Sequence, residues 1–200
     1  MKKEALVLFA KSPQLGKVKT RLSAEMGNDK ALAIYEKLLD LNCDLCSNLA
    51  VHKFIFWDQL PESRLDHLKQ DFEFSLQKGS DLGEKMKNAF QFLLQSGFEK
   101  VVLIGTDCPY LSVEGLKNAL KKLKEQEVVL GPAEDGGYYL IGLTALHPEL
   151  FDNIAWSTPA VLKQTLKKIN AKGMSFSLLP TLSDIDTAKD YKKWSSTFTS

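Results

Sequence analysis

Cysteine is scarce in this sequence of 200 residues, and the few cysteines present do not form a disulfide pattern. Cys43, Cys46 and Cys108 are an odd and low number for a disulfide framework, so we expect a reducing compartment and a cytoplasmic protein. Cys43 and Cys46 form a C-x-x-C pair, but the pair lies late in a predicted helix rather than at a helix start, where such thiols gain reactivity. This position argues against a redox function.

Long apolar runs and a basic excess are also absent. The apolar run 5–10 is too short for the hydrophobic region of a signal peptide, and no stretch approaches the roughly 20 residues that span a bilayer. Lys and Arg number 26 against 25 Asp and Glu, so the net charge of +1 is far from the excess that binds a nucleic-acid backbone. We therefore expect neither a membrane nor a nucleic acid as partner.

Internal repeats, low-complexity tracts and Gly/Ser linkers are missing as well, which predicts a single domain over residues 1–200. The chain is shorter than the roughly 250 to 300 residues at which cores split, and its hydrophobic fraction of 44% can fill one core. There is no G-x-S-x-G elbow, and the three histidines lack zinc-ligand spacing. Hydrolase chemistry of that type and a zinc site are therefore unsupported.

Short β-rich apolar runs alternate along the chain with segments of helical period, a pattern typical of βαβ units. The run VVLIG at 101–105 shows no alternation, which predicts a central strand buried on both faces. The other strands are expected at 5–10, 54–57, 72–76, 127–131, 137–143 and 175–179. Helices are expected at 29–50, 61–70, 83–95, 113–126 and 160–171, and from Thr187 with Asp186 as its N-cap. The predicted fold is one layered α/β domain.

A cationic loop, KSPQLGKVKTRL, follows the first predicted strand, at the edge where open α/β sheets bind ligands. Its charges are Lys11, Lys17, Lys19 and Arg21, arranged around Gly16. Backbone N–H groups of such a loop can hold anions, and the cationic side chains can bind phosphate oxygens. The spacing matches neither the Walker A motif nor G-x-G-x-x-G. Phosphate binding and a merely solvated basic loop both remain open on these residues alone.

Carboxylates follow three later strands. Asp107 in GTDCP follows the buried strand and can hold Mg²⁺, or it can form an Asx-turn or a helix cap. Glu134 and Asp135 precede two glycines, where the alternatives are a hairpin turn and a role as acceptor site, general base or metal ligand. Asp184 and Asp186 alternate before the last helix, so their side chains can point the same way or serve as caps.

Taken together, these motifs resemble nearly end to end the small GT-A-like nucleotide-diphospho-sugar transferases related to 2-phospho-lactate guanylyltransferase. FAKSPQLGKVKTRL matches the opening signature F-A-K-x-P-x-x-G-x-x-K-T-R-L, and KGSDLGEKM is similar to G-D-L-G-E-R-M with Ser80 inserted after Gly79. GTDCP, GPAEDGGYYLIGL and IAWST also fit the family pattern. DIDTAKDY resembles D-I-D-T-P-E-D-L with Ala188 in place of proline, a loss that should cost little because proline there is pre-organising rather than chemical.

The resemblance implies a Rossmann-like three-layer sandwich with a mostly parallel sheet, and a transferase that uses Mg²⁺ or Mn²⁺. It places the donor phosphates on the first loop, through Ala10, Lys11, Ser12, Gly16, Lys19 and Arg21. The segment Asp81, Leu82 and Gly83 would lie near the base or ribose. The residues with implied catalytic roles are Lys19, Arg21 and Asp107.

By the same resemblance, Asp107 is a metal ligand, and Asp186 is the second ligand, with Asp135 as the alternative. A pocket for a small-molecule acceptor would be lined by Glu134, Asp135, Gly136, Gly137, Trp156, Ser157 and Thr158. Acceptors differ most within such folds, so the fold analogy does not name this one. A homo-oligomer is compatible with the sequence, which does not reveal the oligomeric state.

Two donors and one different class of function stay open. The crowded cations favour a nucleoside triphosphate, and no D-x-D motif follows VVLIG, whereas the family resemblance leans toward glycosyl transfer from a nucleotide sugar. A catalytically silent nucleotide-binding or regulatory module is the alternative to both. The base, the acceptor and the pathway are left open by the sequence.

Overall fold

The computed structural model describes residues 3–198 and arranges seven strands in one sheet of order β3-β2-β1-β4-β6-β5-β7. The strands are β1 (Glu4–Ala10), β2 (His52–Trp57), β3 (Glu73–Leu76), β4 (Lys100–Ile104), β5 (Val128–Pro132), β6 (Tyr138–Leu143) and β7 (Phe176–Leu178). Strand β6 runs antiparallel to β4 and β5, whereas the other neighbouring pairs are parallel. The predicted α/β fold with a mostly parallel sheet is confirmed.

Helices cover both faces of this sheet. They are α1 (Thr20–Met26), α2 (Asn28–Ser47), α3 (Leu82–Gln95), α4 (Val113–Lys122), α5 (Val161–Lys172) and α6 (Ala188–Ser195). In β1, Leu6 and Leu8 join the core with α2 and α4, while Ala5 and Val7 join the core with α3 and α5. A third cluster unites α1, α2 and α6 around Trp194. The central strands are buried on both faces, as the unbroken apolar run VVLIG predicts.

Several local features differ from the expectations. The segment 61–70 contains a 3-10 helix (Ser63–Gln70), and two further 3-10 helices occupy Pro148–Leu150 and Ser196–Phe198. Helix α1 was not predicted as a separate element, and it ends at Gly27, which has φ 86° and separates it from α2. Asp186 is not the N-cap of α6. Thr187 caps that helix in a capping box with Asp190, so the carboxylate of Asp186 is left for other contacts.

Residues 1, 2, 199 and 200 of the predicted domain 1–200 lie outside the described residues. The single-domain interpretation stays a prediction. Within residues 3–198, no helix combines the length and the apolar character needed to cross a membrane.

Candidate active site

A cavity of about 560 Å³ opens where β1 and β4 end and where the antiparallel strand β6 begins. This volume lies within the range of about 300 to 1,000 Å³ typical of small-molecule sites. The walls come from the loop after β1, the start of α3, the loop after β4, the segment 135–161 and the segment before α6. The cavity therefore collects side chains that are far apart in the sequence.

The loop after β1 is held on two sides by Tyr35 and Asp58, neither of which belongs to a motif that the sequence analysis identified. The Lys11 N–H donates to the Tyr35 hydroxyl of α2, which in turn donates to the Lys11 carbonyl, at 2.8 and 2.7 Å. The Ser12 N–H donates to Asp58 Oδ1, just after β2, at 2.7 Å. Burial raises the pKa of Tyr35, which keeps this hydroxyl protonated as a donor. The loop is thus held at its entry to the cavity.

Lys19 is the central cation of the cavity. It precedes α1 in a left-handed conformation, with φ 46°, which is strained for a residue other than glycine. Its ammonium lies 2.6 Å from Asp107 Oδ1 and 3.4 Å from Asp186 Oδ1, and its side chain is only 4% exposed. It also donates to the Ile185 carbonyl. One buried ammonium therefore links the loop after β1 with Asp107, which follows β4, and with Asp186, which precedes α6.

The segment before α6 is held in place by backbone hydrogen bonds. The Leu182 N–H donates to the Pro132 carbonyl at the end of β5, and the Ile185 N–H donates to the Asp107 carbonyl after β4. These bonds aim Asp184 and Asp186, two residues apart, into the same cavity. Asp184 and Asp186 therefore both line the cavity, and neither of them caps α6.

Four carboxylates, of Asp107, Asp135, Asp184 and Asp186, line the cavity together. Asp184 Oδ1 is buried, and none of residues 3–198 forms a hydrogen bond with it. Burial, followed by the charges of Asp107, Asp135 and Asp186, raises the pKa of Asp184 to about 7, while Lys19 acts in the opposite direction. Because these carboxylates repel one another, a bound cation would stabilise this part of the cavity.

The carboxylate oxygens in the cavity can be compared with the ligands that a divalent metal ion requires. Within residues 3–198, no group of three or more His, Cys, Asp or Glu side chains is arranged to hold a metal by itself. Mg²⁺, however, is commonly bound by one or two carboxylates together with substrate phosphates and water. Asp107, Asp186 and the unpartnered oxygen of Asp184 offer oxygen ligands of that type. The residues fit a metal that binds together with a phosphate, not a pre-formed protein cage.

The residues of the segment DLGE (81–84) have different roles: one lines the cavity, and the others form the start of α3 or support Trp156. Asp81 caps α3 by accepting a hydrogen bond from the Glu84 N–H, and Glu84 accepts from both the N–H and the hydroxyl of Ser80. The inserted serine is therefore part of the helix start. Leu82 lines the cavity, while Gly83 provides the flat surface on which the indole of Trp156 rests. A Cβ at Gly83 would lie 2.1 Å from Trp156 Nε1.

The segments 135–141 and 156–161 contain much of the cavity wall. Glycine at 136 is required because its φ is 89° and a Cβ there would lie 2.3 Å from the carbonyl oxygen of Pro159. Ser157, with φ 62°, is a second non-glycine residue in the left-handed region that lines the cavity. The ring of Tyr138 meets Trp156 edge-on, with centroids 6.4 Å apart. The predicted hairpin between β5 and β6 is present, so the turn and the cavity wall are the same segment.

The structure brings most of the predicted site residues together. Those that line the cavity are Ala10, Lys11, Lys19, Arg21, Leu82, Asp107, Asp135, Gly137, Trp156, Ser157, Thr158 and Asp186. The predicted residues that lie outside its lining are Ser12, Gly16, Asp81, Gly83, Glu134 and Gly136. Of these, Glu134 accepts a hydrogen bond from the Ser183 hydroxyl, and the Ser12 N–H donates to Asp58. Asp81 caps α3, Gly83 packs against Trp156, and Gly16 and Gly136 have positive φ angles.

Comparison with known proteins identifies the family. The model of a family described as "Uncharacterized protein conserved in bacteria (DUF2064)" matches residues 44–158, which is more than half of the chain. The chain belongs to the DUF2064 family. No curated protein matches the sequence.

Solved structures extend the comparison beyond the DUF2064 family model. A protein from Desulfovibrio desulfuricans G20, provisionally named a nucleotide-diphospho-sugar transferase, is 33% identical, with a TM-score of 0.91 over 98% of this chain and 88% of that one. A 4-diphosphocytidyl-2C-methyl-D-erythritol synthase from Anaerococcus prevotii has 10% identity and a TM-score of 0.68 over 100% and 99% of the two chains. A cytidylyltransferase from Leptospira borgpetersenii has 13% identity and a TM-score of 0.59 over 100% and 87%. At these low identities the last two show the fold alone.

The glycine at position 136 of this DUF2064 chain gives a sharp test of the cavity wall. Gly136→Ala should cost about 3 kcal/mol or more in the free energy of unfolding, because it adds backbone strain and a clash with the Pro159 carbonyl. Gly97→Ala is the matched control. Its φ is 88°, and apart from its chain neighbours no described residue has an atom within 4 Å of the added Cβ, so about 1 kcal/mol is expected. Urea denaturation measures both. Equal losses would show that the contact with Pro159 does not constrain the wall.

Proposed function

We propose that this protein is a nucleotidyltransferase that moves the nucleotidyl group of a nucleoside triphosphate to a small-molecule acceptor with the help of Mg²⁺ or Mn²⁺. The single observation that carries the proposal is Lys19, whose buried ammonium sits between Asp107 and Asp186 in a cavity whose other cations come from the same part of the chain. The concentration of Lys11, Lys19 and Arg21 in one short part of the chain suits a triphosphate donor.

The donor phosphates would meet Lys11, Lys19 and Arg21. Arg21 Nη1 lies 3.6 Å from Asp186 Oδ2, and its side chain is 70% exposed, so its guanidinium can turn toward a ligand at little cost. Lys19 is less free because its ammonium contacts both Asp107 and Asp186. Asp107 and Asp186 would hold a divalent cation, which would supply charge stabilisation at the phosphate oxygens. Lys19, no longer needed as the counter-ion of these carboxylates, would pair with the donor phosphates.

In the proposed reaction, an acceptor hydroxyl oxygen attacks the α-phosphorus and forms a new P–O bond. The bond between the α-phosphorus and the bridging oxygen breaks, and pyrophosphate leaves with the electron pair. Asp135 is our candidate for accepting the hydroxyl proton, because its Oδ1 is oriented by the Gly137 N–H at 2.8 Å while the carboxylate faces the cavity. Lys19 and Arg21 stabilise the negative charge that develops on the leaving group.

A nucleotide sugar is the second candidate donor. The name of the Desulfovibrio desulfuricans relative, which is 33% identical, favours it. The acceptor would then attack the anomeric carbon, and a nucleoside diphosphate would leave. The absence of a second aspartate in Thr106-Asp107-Cys108-Pro109 favours the triphosphate, because the paired D-x-D motif is frequent in metal-dependent glycosyltransferases.

A ligand matrix tests the function directly. The four ribonucleoside triphosphates and a set of nucleotide sugars are each measured with Mg²⁺, first for thermal stabilisation and then for release of pyrophosphate or nucleoside diphosphate. We expect at least one triphosphate to stabilise the fold by about 2.7 kcal/mol at 100 times its Kd. If no nucleotide raises Tm, the proposal is wrong. Stabilisation by a nucleotide sugar alone would favour the second donor. A nucleotide that binds but releases no pyrophosphate or nucleoside diphosphate with any acceptor would indicate a silent module.

A further inference from the structure

One side of the cavity is built from aromatic rings with apolar neighbours. Phe9 at the end of β1, Tyr138 at the start of β6 and Trp156 form what we call the aromatic wall, and each is partly exposed. The apolar side chains of Leu82, Met86 and Leu103 continue it, so Leu82, which the family resemblance placed near the base or ribose, is assigned here to the acceptor side. Trp156 is held against Gly83 and edge-on to Tyr138, and Phe9 stacks on Phe56 with centroids 6.0 Å apart. The three rings are therefore held in place by the contact of Tyr138 with Trp156 and by contacts with Gly83 and Phe56.

The cations of the cavity are concentrated in one short part of the chain. Among the described residues that line it, the positive charges are Lys11, Lys19 and Arg21, all within the 11 positions 11–21. The other charged residues in the lining are the four aspartates, so carboxylates outnumber cations by four to three. A polyphosphate donor would occupy all three cations. No positive side chain of this lining then remains to pair with an anionic acceptor.

We infer that the aromatic wall binds the acceptor, and that the acceptor is an uncharged alcohol carrying an apolar ring rather than a carboxylate or a phosphate. This inference rests on the proposed nucleotidyl transfer. A ring gains by covering the faces of Phe9, Tyr138 and Trp156, whereas an anion would lose its hydration beside apolar rings and four carboxylates. The hydroxyl supplies the oxygen that bonds to the α-phosphorus, its proton passes to Asp135, and pyrophosphate leaves as before.

Three ring compounds of similar size test the inference: benzyl alcohol, phenylacetate and phenyl phosphate. Each is titrated into protein labelled with 5-fluorotryptophan and saturated with Mg²⁺ and a non-hydrolysable analogue of the triphosphate that stabilises the fold most. The chain has three tryptophans, and Trp156→Phe assigns the resonance of the one that lines the cavity. We expect benzyl alcohol to shift this resonance at a concentration at least about tenfold lower than phenylacetate or phenyl phosphate.

Two results would overturn the inference. One is an anionic ring compound that binds as well as benzyl alcohol while the nucleotide is bound. The other is complete loss of the benzyl alcohol response when the nucleotide binds, because the wall would then hold the base. If no triphosphate analogue binds at all, the proposed function fails, and the same titrations without nucleotide still decide whether the wall prefers uncharged rings.

A charge introduced at the wall gives an independent test. Leu82 is 42% exposed and lines the cavity, so Leu82→Lys adds a cation there without removing core packing. This variant should bind phenylacetate at least about tenfold more tightly than the parent protein does, with the nucleotide analogue present. Leu60→Lys is the control, because Leu60 is 77% exposed and outside the cavity lining. No gain for Leu82→Lys over Leu60→Lys would contradict the position assigned to the acceptor.

Discussion

Replacing Asp107 with asparagine is expected to lower kcat/KM for nucleotide transfer by about 100- to 1,000-fold. The substitution keeps the shape of the side chain but removes a charge that contacts the Lys19 ammonium at 2.6 Å and that, in the proposed reaction, holds the metal beside the phosphates. The Asp107 side chain is 46% exposed, so the fold should survive the change. Steady-state kinetics with the best triphosphate and acceptor, alongside thermal melting, separate loss of turnover from loss of folded protein.

Asp66→Asn is the matched control for this experiment. Asp66 pairs with Lys69 on an exposed 3-10 helix, and it does not line the cavity, so its loss should leave kcat/KM within about twofold of the parent value. An Asp107→Asn variant that retains normal turnover would remove this residue from the reaction. A parent protein that binds the nucleotide but turns over no acceptor would have no activity to lose, as expected of a silent module.

Much of the fold could be predicted from the sequence because burial leaves a local pattern. The unbroken run VVLIG marks a strand covered on both faces, and the three- and four-residue spacing in 29–50 marks the buried face of α2. The short helix α1 was harder, because only seven residues separate the strained Lys19 from Gly27. The cap of α6 was misassigned because Asp186 and Thr187 are both good capping residues, and only the reciprocal contacts with Asp190 distinguish them.

The cavity was less predictable because its geometry depends on contacts across the sheet. Tyr35 has the spacing of a core residue, and nothing in the local sequence shows that its hydroxyl holds the loop at Lys11. Phe9 belongs to an ordinary strand pattern, and its position in the cavity follows from where β1 ends beside β4. Motifs identified many of the polar residues, while the aromatic wall emerged only from packing.

Lys19→Met is expected to abolish nucleotide-induced stabilisation and, at the same time, to strengthen the response to Mg²⁺ alone. Methionine keeps the unbranched stem and the same backbone strain at φ 46°, so the principal change is loss of the ammonium. Without it, Asp107 and Asp186 lose their buried counter-ion, and the free energy of unfolding in the presence of EDTA should fall by about 1–3 kcal/mol. A divalent cation can then bind the carboxylates without displacing a lysine, which should return part of that stability.

Lys17→Met supplies the comparison within the same loop, because Lys17 is exposed and outside the cavity lining. Urea denaturation in EDTA, in Mg²⁺, and in Mg²⁺ with the triphosphate measures both variants and the parent. We expect Lys17→Met to follow the parent closely. If Mg²⁺ alone stabilises the parent and Lys19→Met equally, the lysine and the metal do not compete for the same carboxylates. The ammonium would then be a structural cross-link between β4 and the segment before α6, and donor binding would have to depend on Lys11 and Arg21.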